Sequence, residues 1–219
     1  MRQLLHRLNF VYKKAKTIPG KANAELQRAY LAFLEETLKS KGKDDAHYYL
    51  DGVHPQHNTQ LAYGWIKKGQ DKVVKSNSGR QRININGALN ADTLEVVMRT
   101  DDTINTQSTL KLFEMLERNH PTANSIFITL DNAKYYKNTL VYEYLKTSKI
   151  KLLFMPPYSP NLNLIERLWK FMRKTILYNQ YYEKFADFKI AVMQFFENIS
   201  QHHAKLSTLL TKNFQILGV

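Results

Sequence analysis

The sequence predicts an α/β fold, a mixed sheet with helices on its faces, and two observations carry that prediction. Strand-like runs follow one another through residues 47–98. Helix and strand then alternate before a helical tail that begins at Asn163. At 219 residues the chain is long enough to bury a sizeable core, and neither an internal repeat nor a low-complexity stretch divides it. Hydrophobic residues at 43% and charged residues at 23% exclude a wholly disordered or collagen-like chain.

Residues 4–19 mix a short apolar pattern with Lys13-Lys14-Ala15-Lys16 and end at Pro19-Gly20, which reads as a helix fragment leaving into an extended basic arm. Residues 23–39 form an amphipathic helix with Leu26, Tyr30, Phe33, Leu34 and Leu38 on one stripe. Four strand-like runs follow at 47–53, 61–66, 82–89 and 93–98. Gly87, inside the third, marks a bulge or a close backbone approach. A helix over 106–117 leads to a strand over 125–130, and a helix over 138–147 leads to a strand over 151–155. Prolines 156, 157 and 160 end that strand and delay the next helix, for which Asn163 is the expected N-cap. The tail holds helices over 163–178, 183–198 and 203–210, the last started by His202-His203. Phe185, Phe188, Val192, Phe195, Phe196 and Ile199 make a stripe expected in the core. Residues 1–43 are expected as a basic arm with a docking helix, and 44–219 as the sheet-bearing domain.

The formal charge is +13, with a pI near 9.7, which points to a polyanionic partner, nucleic acid ahead of an acidic membrane. Residues 1–43 hold ten Lys/Arg against Glu25, Glu35 and Glu36, so that fifth of the chain carries +7. A solvated arm and a phosphate-tracking arm through Lys13, Lys14 and Lys16 both fit that charge. The absence of cysteine excludes a disulfide framework, a cysteine zinc site and a thiol nucleophile, and it fits a reducing compartment. No apolar run is long enough for a membrane span, and the first residues show no secretory signal pattern, so a cytoplasmic, nucleic-acid-associated location is expected.

Three acids stand at the ends of elements. Asp51 closes Tyr48-Tyr49-Leu50 and Asp131 closes Phe127-Ile128-Thr129-Leu130. Ligands collect beyond the carboxyl ends of parallel strands, although an Asp there can equally start a turn through its own backbone. Glu166 lies three residues past Asn163 and shares a helix face with Lys170 and Arg173. A capping box with Asn163, an i,i+4 pair with Lys170, and a metal ligand beside a phosphate backbone are all consistent with it. Three gathered carboxylates would repel and resist full ionisation. Two Mg²⁺ or Mn²⁺ ions, which favour hard oxygen ligands, relieve that repulsion. Such ions, roughly 4 Å apart, can activate a water or a 3′-hydroxyl and stabilise the leaving oxygen of an in-line phosphoryl transfer.

Three blocks then carry a resemblance. They are Tyr49-Leu50-Asp51-Gly52-Val53-His54-Pro55, Leu130-Asp131-Asn132-Ala133-Lys134-Tyr135-Tyr136, and Pro157-Tyr158-Ser159-Pro160-Asn161-Leu162-Asn163-Leu164-Ile165-Glu166-Arg167-Leu168-Trp169. Over roughly residues 45–215 the chain resembles the DDE transposases of bacterial insertion sequences in the mariner-like superfamily, the insertion-sequence 630 family in particular. The third block is the most specific, and the 34 residues between Asp131 and Glu166 suit the family's last acid pair. The resemblance implies a ribonuclease-H-like five-stranded sheet with the strands of Asp51 and Asp131 side by side. It implies that Asp51, Asp131 and Glu166 are catalytic metal ligands for two ions. It further implies hydrolysis at transposon ends, then 3′-hydroxyl attack on double-stranded target DNA, usually at TA, by a homodimer in the bacterial cytoplasm. Family members start with a helix-turn-helix region, of which residues 2–16 resemble only the last helix and the start of the linker.

Further DNA contacts are expected from His54, Arg80, Arg82, Asn132, Lys134, Tyr135, Lys170, Arg173 and Lys174. His54 and His57 lack a third nitrogen or sulfur ligand nearby, which argues against zinc. A tyrosine recombinase would need an Arg/His set around its nucleophile, and none assembles in this sequence. The alternatives are a decayed or domesticated DNA-binding relative, and a ribonuclease-H-like nuclease that cuts without strand transfer.

Overall fold

A computed structural model describes residues 2–12, 18–78 and 80–217. Lys13, Lys14 and Lys16 lie outside the described residues. In chain order the elements are α1 (Arg2–Arg7), α2 (Ala24–Lys39), β1 (Ala46–Val53), β2 (Asn84–Asn90), β3 (Val96–Asp101), α3 (Thr106–Asn119), β4 (Ile126–Leu130), α4 (Thr139–Leu145), β5 (Ile150–Phe154), α5 (Ile165–Ile176), α6 (Phe185–Glu197) and α7 (His203–Leu209). The five strands form one sheet in the order β3-β2-β1-β4-β5. β1, β2 and β3 pair antiparallel, whereas β1, β4 and β5 run parallel. This is the mixed five-stranded, helix-flanked sheet of the ribonuclease-H-like fold.

β1 is the centre of the sheet and is sealed on both faces. Tyr48 and Leu50 pack with Leu112, Phe113 and Leu116 of α3 and Val141 of α4. Tyr49 and Val53 face the other way, toward Leu168, Trp169 and Met172 of α5 and the α6 aromatics. A strand buried on both sides reads as a continuous apolar run, as β1 and β4 do. Tyr30 and Leu34 of α2 cover Phe127 and Leu153 on the α5 side of the parallel half.

Several boundaries differ from expectation, each for a physical reason. Residues 61–66 form no strand. Leu61, Tyr63 and Trp65 are bare to solvent, and without a packing partner the β-forming side chains have nothing to stabilise. The strand expected at 93–98 starts at Val96, because Asn90 Oδ1 accepts from the Asp92 and Thr93 amides and Leu94 takes a φ of 62°, making 91–94 the hairpin turn. On α2 the buried face is Gln27, Tyr30 and Leu34, while Leu26 and Phe33 are exposed. Gln27 is sealed because its amide bonds both the carbonyl and the amide of Leu217. Asn163 does not cap α5. Its side chain donates instead to the Leu50 carbonyl, and Leu164 takes the cap position.

Candidate active site

The sheet brings two of the acids abreast. Tyr49 pairs with Thr129 across parallel β1 and β4, so extending that register by two residues sets Asp51 beside Asp131 at the carboxyl edge. The start of α5 then swings Glu166 over the same edge. All three line one cavity of about 450 Å³, walled by Asn132, Ala133 and the loop from Met155 to Pro160. Tyr158 holds a φ of 58° in that loop.

Their environments differ. Burial pushes the Asp51 carboxyl up to about 7, reinforced by the charge of Glu166 and then of Asp131, against the opposing Gly52 amide and Trp169 indole. Burial also raises Glu166, whose carboxyl adjoins Asp51, and the Arg173 guanidinium pulls it back toward the charged form. Asp131 is exposed, and its Oδ1 accepts from the Ala133 amide at 3.0 Å, the local turn bond that an Asp at a strand end makes. Among the described residues no three His, Asp or Glu side chains close into a ready cage for a metal ion. The acids share a cavity while Asp131 stays tied to its own loop. Glu166 makes neither the capping-box bond to the Asn163 amide nor an ion pair with Lys170 among the described residues.

The expected DNA contacts divide. Asn132 lines the acid cavity, its Nδ2 donating to the Met155 carbonyl and its Oδ1 accepting from Lys137. Lys170 and Arg173 line a second cavity of about 540 Å³, which meets the first at Glu166, Asn163 and Pro160. Lys174 and Lys134 are exposed, and Tyr135 is half-buried against Tyr136, which burial keeps protonated beyond its usual range. His54, Arg80 and Arg82 are not among the residues of the acid cavity. His54 Nδ1 pairs with Asn84 Oδ1 at 2.8 Å, and Arg82 lines a separate cavity with Asp101, Asp102 and Lys189. His57 is a core residue held by the Tyr182 carbonyl and the Asn77 amide.

Sequence reasoning missed two partners of the site. Trp169 Nε1 donates to Asp51 Oδ2 at 3.1 Å, and Asn163 tethers the Pro-rich loop to β1. Gly87 was the available signal. It sits opposite Asp51 on β2, and the close approach it permits is that of the Trp169 ring.

A family model described as DDE superfamily endonuclease matches residues 46–189, a span that contains all three acids. A curated relative, the insertion element IS630 uncharacterized 39 kDa protein of Shigella sonnei, is 25% identical over 171 residues, covering 78% of this chain and 50% of the relative. The chain thus spans about half the length of that relative. Among solved structures, a pre-cleavage Mos1 transpososome aligns with a TM-score of 0.68 at 14% identity, over 99% of this chain and 71% of the other. The Mos1 transposase paired-end complex with left transposon end gives 0.66 at 16%, over 98% and 70%. The Mos1 transposase catalytic domain with Raltegravir and Mn gives 0.57 at 14%, over 91% of this chain and all of the other. At these identities the likeness shows the fold.

Proposed function

The chain belongs to the DDE superfamily of endonucleases, and from that membership we propose that it is the catalytic domain of a DNA transposase, cutting at transposon ends and joining the freed 3′-hydroxyl to target DNA. One observation carries the reading: Asp51, Asp131 and Glu166 line a single cavity at the carboxyl edge of β1 and β4.

The donor set fits divalent cations. Three carboxylates offer hard oxygens, and Asp51 and Glu166, raised by burial first and by neighbouring acids second, would be relieved by a bound cation. The three acids would hold two Mg²⁺ or Mn²⁺ ions, which supply the Lewis acidity that activates a water or 3′-hydroxyl and stabilises the leaving oxygen. The Mos1 paired-end complexes with Mn and with Mg support this choice of metal. Lys170 and Arg173, on the far side of Glu166, would hold the phosphates that flank the scissile bond, and Asn132 and the 155–160 loop would wall the reacting strand. The basic excess, carried in part by Lys13, Lys14 and Lys16, would draw in double-stranded DNA.

The division into a basic arm at 1–43 and a catalytic domain at 44–219 belongs to the same reading. So do a homodimer acting on paired ends, a TA-type target and a place on the bacterial nucleoid, all supported by the resemblance to insertion-sequence transposases. No helix among the described residues is long and apolar enough to cross a membrane.

The test is Mn²⁺-dependent nicking of DNA carrying the element's ends, with a helix-turn-helix domain supplied, comparing this chain with Asp51→Asn and Asp131→Ala. Nicking by the parent chain that EDTA and both substitutions abolish is expected. Equal inactivity of parent and variants overturns the reading. Nicking without joined products would move it to a nuclease that does not transfer strands.

A further inference from the structure

The segment that delivers Glu166 is fastened to β1 on both sides of that residue. Three positions before it, Asn163 Nδ2 donates to the Leu50 carbonyl at 3.1 Å. Three positions after it, Trp169 Nε1 donates to Asp51 Oδ2 at 3.1 Å. The two bonds land on consecutive residues of one strand, and both donating side chains are sealed from solvent. The ring of Trp169 reaches Asp51 only because Gly87, the cross-strand partner of Asp51, has no side chain. A Cβ there would lie 2.6 Å from Trp169 Cη2 and 3.1 Å from Cζ2. Asn163 lines both cavities that meet at Glu166, and its Oδ1 has no hydrogen-bond partner among the described residues.

We propose that Trp169 and Asn163 are positioning residues that set the spacing and aim of the Asp51–Glu166 carboxyl pair for a divalent cation, with Gly87 as the gap that admits the indole. The inference rests on the metal-dependent reading above. An indole N–H on Asp51 Oδ2 fixes the carboxylate's rotation, the role that hydrogen-bonded partners of metal ligands play. Asn163 fixes the backbone one residue earlier, so neither the strand nor the helix start can slide without breaking a buried bond. Trp169 also packs in the core beside Phe196. A purely packing role would cost stability and leave metal affinity alone.

The chain has two tryptophans, buried Trp169 and fully exposed Trp65, so ¹⁵N-indole labelling gives two N–H signals. On Mn²⁺ titration the Trp169 signal is expected to broaden and vanish first, with Trp65 unaffected. By calorimetry, Trp169→Phe, which keeps a ring but loses the N–H, is expected to bind Mn²⁺ about 10–100-fold more weakly, and Gly87→Ala, which displaces the indole, to weaken it likewise. Trp65→Phe is expected to match the parent. A folded Trp169→Phe that binds Mn²⁺ within about twofold of the parent overturns the proposal. So does a Trp169 signal that ignores bound Mn²⁺ in the parent chain, a result that needs no variant. A parent chain that binds no Mn²⁺ at all overturns the metal-dependent reading itself, and is told apart by that.

Discussion

Helix α5 and the excursion between β1 and β2 each carry a tryptophan among neighbouring apolar and basic side chains, and the two fare in opposite ways. Trp169 is fully buried, hydrogen-bonded to Asp51 and fitted against a glycine. Trp65 stands in solvent with Tyr63, Leu61 and Val73, on a segment anchored near its start by the Gln60–Tyr178 bridge and the Asn179–Ala62 bonds. Apolar composition is similar; what differs is a partner. In α5 the apolar side chains recur every three to four residues and meet the open face of β1 and β2. The excursion has no face to lie on, so the same residue types there organise nothing.

The largest effect expected from probing that contrast is in stability. Trp169→Ala should cost about 3–5 kcal/mol through the cavity it opens, whereas Trp65→Ala should fall within about 0.5 kcal/mol of the parent, both by chemical denaturation. Comparable losses at the two sites would erase the distinction.

A second, smaller effect sharpens it with protons. His47, on sealed β1, bonds Thr129 through Nε2, and its pKa is pushed down to about 4, by burial first and by Lys212 and Lys41 against the pull of Asp92. A histidine whose folded value is depressed contributes no penalty above the ordinary 6.5. It loses stability as pH falls from there toward 4, because the unfolded chain takes the proton first. Between pH 7 and pH 5 the loss is about 2 kcal/mol. Asp51, raised in the fold, pulls in the opposite sense over the same range, so the difference between parent and His47→Gln denaturation curves isolates the histidine. Parallel pH profiles for the two would refute it.

The smallest effect concerns the excursion alone. Trypsin should cut first at Lys67, Lys68, Lys72 or Lys75, with little change in circular dichroism, since that segment contributes no strand to the sheet. First cuts inside α5 instead would invert the comparison.

Much of this was legible along the chain because local pattern and tertiary need agreed. The five real strands, α3 to α7, and the acids late in β1 and just after β4 follow from short-range signals. The failures share one cause, a partner far away in sequence. Asn163 is a sound cap by local rules, but the Leu50 carbonyl, 113 positions earlier, takes its amide. Gln27 is polar by type and buried in fact, because Leu217 satisfies it. Residues 61–66 read like a strand, yet Leu61, Tyr63 and Trp65 find no apolar surface to pack on. Trp169 belongs to the third motif, but its nitrogen lands on Asp51, 118 positions back, and only Gly87 hints at that approach.

The order of the strands has a temporal consequence. Asp51 and Asp131 come from neighbouring strands and are both present once β4 leaves the ribosome, but Glu166 and its two fastenings arrive only with α5. Until then the face carrying Tyr49, Ile85 and Leu89 lacks the α5, α6 and α7 side chains that pack on it. A growing or prematurely terminated chain therefore carries two acids and an uncovered apolar face. Helix α5 thus both closes that face and brings the third acid to the edge of β1 and β4.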